Sequence, residues 1–133
     1  MRRVVAVIGL ALLAGCVAPS AWAETAALAE RPGHPGLVFT DNPAIVDPHP
    51  MRAESFSRVS DDRAVAVHFT TGTPQCYGVH ATAQETPETV TVELRGGTLP
   101  EAVGRACILI AVEGSLDVPL QSPLGTRQVL TAF

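Results

Sequence analysis

Beyond Pro50 the apolar residues recur at every second position in short runs cut by turn-forming clusters, and a period of two leaves room for strands rather than helices. Val65, Val67 and Phe69 alternate with Ala66 and His68, after a turn at Ser60-Asp61-Asp62-Arg63 that leads back to a strand around Ala53 to Val59. A second hairpin runs from Cys76 to Glu85 and returns through Val90, Val92 and Leu94, with Thr86-Pro87-Glu88-Thr89 as its turn. With Pro87 and Glu88 at the tip, Ala83 lies opposite Val92 and Ala81 opposite Leu94, so small side chains meet large ones across the pair.

Farther on, Arg95-Gly96-Gly97-Thr98-Leu99-Pro100 reads as a loop, and the nearly all-apolar Ala106 to Val112 as a central strand covered on both sides. Leu116 to Leu120 and Arg127 to Ala132 form a last pair of short strands around Ser122-Pro123-Leu124-Gly125, with Pro119 marking an edge or a bulge. About seven strands with turns every eight to twelve residues point to an all-β, immunoglobulin-like antiparallel β-sandwich over residues 51–133.

Residues 16–50 read differently. Pro19, Pro32, Pro35, Pro43, Pro48 and Pro50 with Gly33 and Gly36 break any apolar period, which predicts an extended Pro-rich tether. Within it, Leu37-Val38-Phe39 and Ala44-Ile45-Val46 have the character of edge strands able to dock on the domain.

Residues 1–15 have the parts of a secretory signal: Arg2 and Arg3, an apolar run from Val4, then small residues, too short for a spanning helix. Leu13-Ala14-Gly15-Cys16 resembles the lipobox of bacterial lipoproteins. The resemblance implies that the Cys16 thiol carries a diacylglycerol and becomes the first residue. It places the protein on the extracytoplasmic face of the cell membrane, held by a lipid anchor. The alternative is a cut after Ala21-Trp22-Ala23, releasing a secreted protein that starts at Glu24.

Without the signal, 118 residues remain, enough for one domain. All nine basic residues are arginines and two lie in the signal, leaving seven against thirteen acids, a net charge near −6. That balance, with no basic cluster, excludes nucleic acid as a partner. Cys76 and Cys107 remain as an even pair in an exported chain and predict a disulfide stapling strand margins. By chain entropy such a bridge is worth about 3 kcal/mol.

Glu85-Thr86-Pro87-Glu88-Thr89-Val90-Thr91-Val92, Arg105-Ala106-Cys107 and Val118-Pro119-Leu120-Gln121-Ser122-Pro123-Leu124-Gly125-Thr126-Arg127 resemble segments of small exported actinobacterial proteins of uncharacterised function. The resemblance covers under half of the chain. It implies an exported β-sandwich and no activity.

Chemistry-bearing patterns are sparse. His68 and His80, were their strands adjacent, would form a partial zinc or copper site with Glu93. The plainer expectation places both on the solvated face of a sheet. No nucleophile elbow, zinc-hydrolase helix or phosphate loop is present, so no catalytic residue and no cofactor is assigned. Asp61-Asp62 and the pair Glu85 and Glu88 read as exposed turn residues, and Tyr77 as core. A binding loop is expected at Arg95, Leu99, Val103 and Arg105, and after it at Thr71 to Gln75. The sequence thus describes a non-enzymatic, membrane-anchored lipoprotein that binds an envelope protein or ligand. A small metal-binding protein is the alternative.

Overall fold

The computed structural model describes Gly15 and residues 24–133. The lipidation expected at Cys16, the rest of the signal and the cut after Ala23 lie outside the described residues.

Among the described residues, ten strands build two five-stranded sheets that pack as a β-sandwich. In the first sheet β8 (Thr89–Thr98) is central. One of its edges carries β7 (Tyr77–Glu85) along its whole length. The other is shared by β10 (Gln128–Ala132) beside Thr89 to Glu93 and β4 (Val46–Met51) beside Leu94 to Thr98, with β1 (Thr25–Ala27) outside β10. The second sheet has the order β2 (Ala29–Glu30), β5 (Ser55–Arg58), β6 (Ala64–Thr71), β9 (Val112–Pro119), β3 (Leu37–Phe39).

The alternation sets which side chains face inward. Val65, Val67 and Phe69 of β6, Leu116 and Val118 of β9, and Val90, Val92 and Leu94 of β8 fill the space between the sheets. Phe39 meets Phe69 edge to face with centroids 5.4 Å apart. Both hairpins form, and the second has the expected register, with Ala83 opposite Val92 and Ala81 opposite Leu94. Leu37-Val38-Phe39 docks as an edge strand, β3.

Three expectations are corrected. Among the described residues the sandwich has ten strands, six of them within 52–133, where about seven were expected, and four supplied by residues 25–51. The pairs β2/β5, β3/β9 and β10/β8 are parallel, so the sheets are mixed instead of purely antiparallel. Leu116 to Leu120 and Arg127 to Ala132 do not pair with each other: β9 and β10 belong to different sheets. The connection between them buries Leu120 and Leu124. Arg127 pins that connection, donating to Glu85 at 3.1 Å and to the Ser122 and Pro123 carbonyls at 2.9 and 2.8 Å. Glu85 also accepts from the backbone N–H groups of Gln121 and Ser122, which with Arg127 hold its carboxyl below the usual range. It is therefore an anchor and not a bare turn residue.

The third correction concerns the tether. From Thr25 to Met51 the chain supplies four strands, all paired with the body of the domain. Pro48 and Pro50 are tolerated because β4 lies at a sheet edge, where a missing N–H faces away from the ladder. Between β2 and β3, at opposite edges of the second sheet, only Arg31-Pro32-Gly33-His34-Pro35-Gly36 is available to cross. Four interstrand steps span about 19 Å, close to the full reach of so short a segment. The prolines keep this strap extended.

Under the strap lies the outer face of the second sheet, where Ser55, Ser57, His68 and Ser115 are buried. His34 fastens it from above, 3.3 Å from Asp117. His68 is 3% exposed, not solvated as expected, with the Ser55 and Ser57 hydroxyls 2.7 and 3.1 Å from its two ring nitrogens. A hydroxyl both donates and accepts, so a neutral imidazole satisfies both contacts.

Burial pushes the pKa of His68 down from its ordinary 6.5, against the opposing Gly33 carbonyl. The native state therefore prefers neutral His68, and the resulting stability is complete above pH 6.5 and lost as the pH falls from there toward the folded value. Denaturant midpoints measured downward through that window should fall more steeply for the wild type than for His68→Gln, which keeps a donor and an acceptor but cannot protonate. Parallel curves would mean that His68 is not a source of the dependence.

Candidate functional site

The end of the sandwich where β8 finishes is open between the sheets. A recess of about 490 Å³ lies there, lined by Met51 and His49 of β4, Gly96 and Gly97 of β8, Tyr77 of β7, Thr71 and Gly72 after β6, and residues 108–111. Its floor is glycine for a reason. A methyl group on Gly96 would overlap the Met51 sulfur, and one on Gly97 would come within 2.7 Å of the Val46 carbonyl oxygen. These small residues let bulged β4 lie close along the end of β8 and put no side chain of their own into the recess.

Over its rim runs the stretch that was expected to be a central strand. Residues 105–111 form no strand, and Ile108, Leu109 and Ile110 are 61, 94 and 48% exposed. A continuous apolar run carries no period of its own, so hydrophobicity could not tell an interior strand from a displayed loop. The outcome follows from the preceding chain: a single 3₁₀ turn at Pro100–Ala102 and left-handed Gly104 turn it away from both sheets. The disulfide between Cys76 and Cys107 then ties it to the start of β7. The expected bridge is therefore present, but it joins a strand end to a loop and not two strand margins.

The expected binding loop is divided. Val103 and Arg105 line a second recess of about 300 Å³ with Asp47, Tyr77, Thr98 and Cys107. Leu99 instead packs toward Gly78, and Arg95 stands exposed on β8 opposite His80. Thr71, in the second expected loop, does reach the larger recess. Tyr77, read as core, is only partly buried and forms part of both recesses. His49 was missed because it lies in the segment read as tether, and Met51, the first residue assigned to the sandwich, because nothing local marked it as lining a recess. The signal available for them was Gly96-Gly97 inside an otherwise alternating run, which marks a close backbone approach.

His68 and His80 do not come together: β6 and β7 belong to different sheets. His80 instead contacts Asp41 at 2.9 and 3.0 Å, an aspartate that also accepts from the Ala81 N–H. Glu93 pairs across from Thr82, not His80. Among the described residues no group of three His, Cys, Asp or Glu side chains is placed to hold a metal ion.

The larger recess thus offers mostly van der Waals surface with one imidazole, one phenol and two threonines, an arrangement suited to holding an apolar group. Withdrawing Leu109 and the exposed parts of Ile108 and Ile110 from water is worth roughly 4–6 kcal/mol together. Alone that corresponds to binding between about 1 mM and a few tens of micromolar, weak enough to matter mainly where something else brings the target close. No protein-family model, no curated protein and no solved structure matches the chain.

Proposed function

We propose that the chain is a non-enzymatic lipoprotein, anchored through Cys16 on the extracytoplasmic face of the cell membrane, whose β-sandwich is a binding module of the envelope. The observation that supports the binding role is the displayed Ile108-Leu109-Ile110 loop, disulfide-tied beside an apolar recess. An exposed aliphatic cluster of this kind is a liability in a soluble protein unless it meets a partner surface. The anchor rests on Leu13-Ala14-Gly15-Cys16 and supplies the proximity that weak apolar contacts require.

The test is fractionation and intact mass of the full chain expressed in a bacterium that processes lipoproteins. Wild type is expected in the membrane fraction, beginning at Cys16 with acyl groups attached, and Cys16→Ser in the soluble fraction. Wild-type protein beginning at Glu24 without acyl groups would instead establish a secreted domain and end the anchored reading.

A further inference from the structure

The same end of the sandwich carries both the aliphatic loop and the approach of the amino-terminal chain. β1 begins with Thr25 opposite Ala132, which lies beside Glu93, and runs toward Ala27, opposite Leu130 beside Thr91. The backbone therefore comes in from the Thr98 end of β8. That end holds Tyr77, Gly96 and the loop at Ile108 to Ile110. Glu24 is fixed about midway along β8, one residue toward that end from the level of Glu93, its carbonyl accepting from the Phe133 N–H at 2.9 Å.

The spacer from a lipidated Cys16 is also short. Because residues 25–51 belong to the sandwich, seven residues separate Cys16 from Glu24. Fully extended, they reach at most about 27 Å. That is less than the roughly 33 Å run of a ten-residue strand such as β8. A domain so tethered is held against the bilayer, not lifted from it.

We propose that Ile108, Leu109 and Ile110 form a second membrane contact, dipping into the interface of the lipid bilayer that the anchor brings within reach. The contact rests on the anchored reading for its proximity and on the loop's own geometry for its chemistry. From Ala106 to Val112 no residue is charged, and the disulfide at Cys107 limits the freedom the loop must give up on docking. The net negative charge of the domain makes an anionic surface a poor attractant, so insertion is apolar in character and insensitive to salt.

The experiment uses residues 16–133 without lipid. Cys76 and Cys107 are bonded to each other, so Cys16 is the free thiol and can be coupled to a maleimide-headgroup lipid in phosphatidylcholine vesicles. Trp22→Phe removes the only tryptophan, and Leu109→Trp then places a single indole on the loop. Its emission should shift to the blue and be quenched by brominated lipid tails. An indole introduced by Thr126→Trp, at the far end of the sandwich, should do neither.

Adding Ile108→Ser and Ile110→Ser to the loop reporter should reduce quenching about tenfold or more. An unshifted Leu109→Trp signal on coupled vesicles would overturn the proposal, as would a blue shift that needs protein concentration rather than lipid, which means self-association. A shift confined to anionic vesicles and reversed by salt would overturn it too. Coupling is chemical, so these outcomes do not depend on lipidation in the cell, and failure of the anchored reading would be seen separately in the intact mass.

Discussion

Replacing Cys76 and Cys107 together by serine is expected to cost about 2–5 kcal/mol of unfolding free energy, a large share of what a domain of this size possesses. The bridge closes a sequence separation of 31 residues that includes the whole β7/β8 hairpin, so its removal returns that freedom to the unfolded chain. The native state loses something as well. Past Arg105, whose N–H donates to the Ala102 carbonyl at 3.0 Å, no backbone hydrogen bond from among the described residues holds residues 106–110. Their side chains are mostly exposed and make little packing of their own.

The variant should therefore show two separable effects: a lower denaturant midpoint for the whole fold, and amide exchange at Arg105, the hydrogen-bonded N–H that leads into the loop, that speeds up even where the sandwich stays folded. Unchanged exchange at Arg105 would mean that the recess walls, not the disulfide, hold the loop in place.

Gly36→Ala should be nearly as damaging, by about 2–5 kcal/mol, although it adds one methyl group at the surface. Gly36 has a φ of +72°, in the left-handed region that costs a side chain roughly 1–2 kcal/mol. Its added carbon would also overlap the carbonyl oxygen of Glu113, a backbone atom of β9 that cannot rotate away. The strap would have to lift, and lifting it uncovers His68 and its serine partners. Urea unfolding of Gly36→Ala beside Gly33→Ala separates the two causes, because Gly33 also has positive φ but meets nothing within 4 Å. Equal losses in the two variants would show that conformation alone, without the overlap, sets the cost.

How much was legible varies from segment to segment for a physical reason. The register of the β7/β8 hairpin was legible because alternation, a Pro-containing turn and complementary side-chain sizes all require one pairing, but Arg95 to Thr98, read as a loop on the strength of Gly96-Gly97, continue β8 and pair with Tyr77 to His80. Ala106 to Val112 was misread because a run with no polar member has no phase, and whether it is covered depends on chain elsewhere. The Pro-rich segment failed differently. Proline demands extended backbone, and an extended backbone serves equally as a solvated tether, an edge strand or a strap. Burial of His68 follows from the strap, so its environment was hidden with it.

The site shows the same division. Cys76 and Cys107 were paired because, with Cys16 assigned to the signal, they remain as an even pair in an exported chain. The recess joins β4, β6, β7 and β8 with the loop, and no local pattern announces a cavity built from five separate stretches of chain.

The amino-acid sequence by itself determined the strand-forming class, the inward faces of β6 and β8, and the disulfide, because each depends on neighbours a few positions away or on a count of thiols. Tertiary structure alone decided that β1, β2 and the proline-bearing β4 join the sheets, that β9 and β10 part company, and that three aliphatic residues stand outside. Those outcomes depend on which surfaces the remaining chain is long enough to cover, and covering a surface is a property of the whole fold.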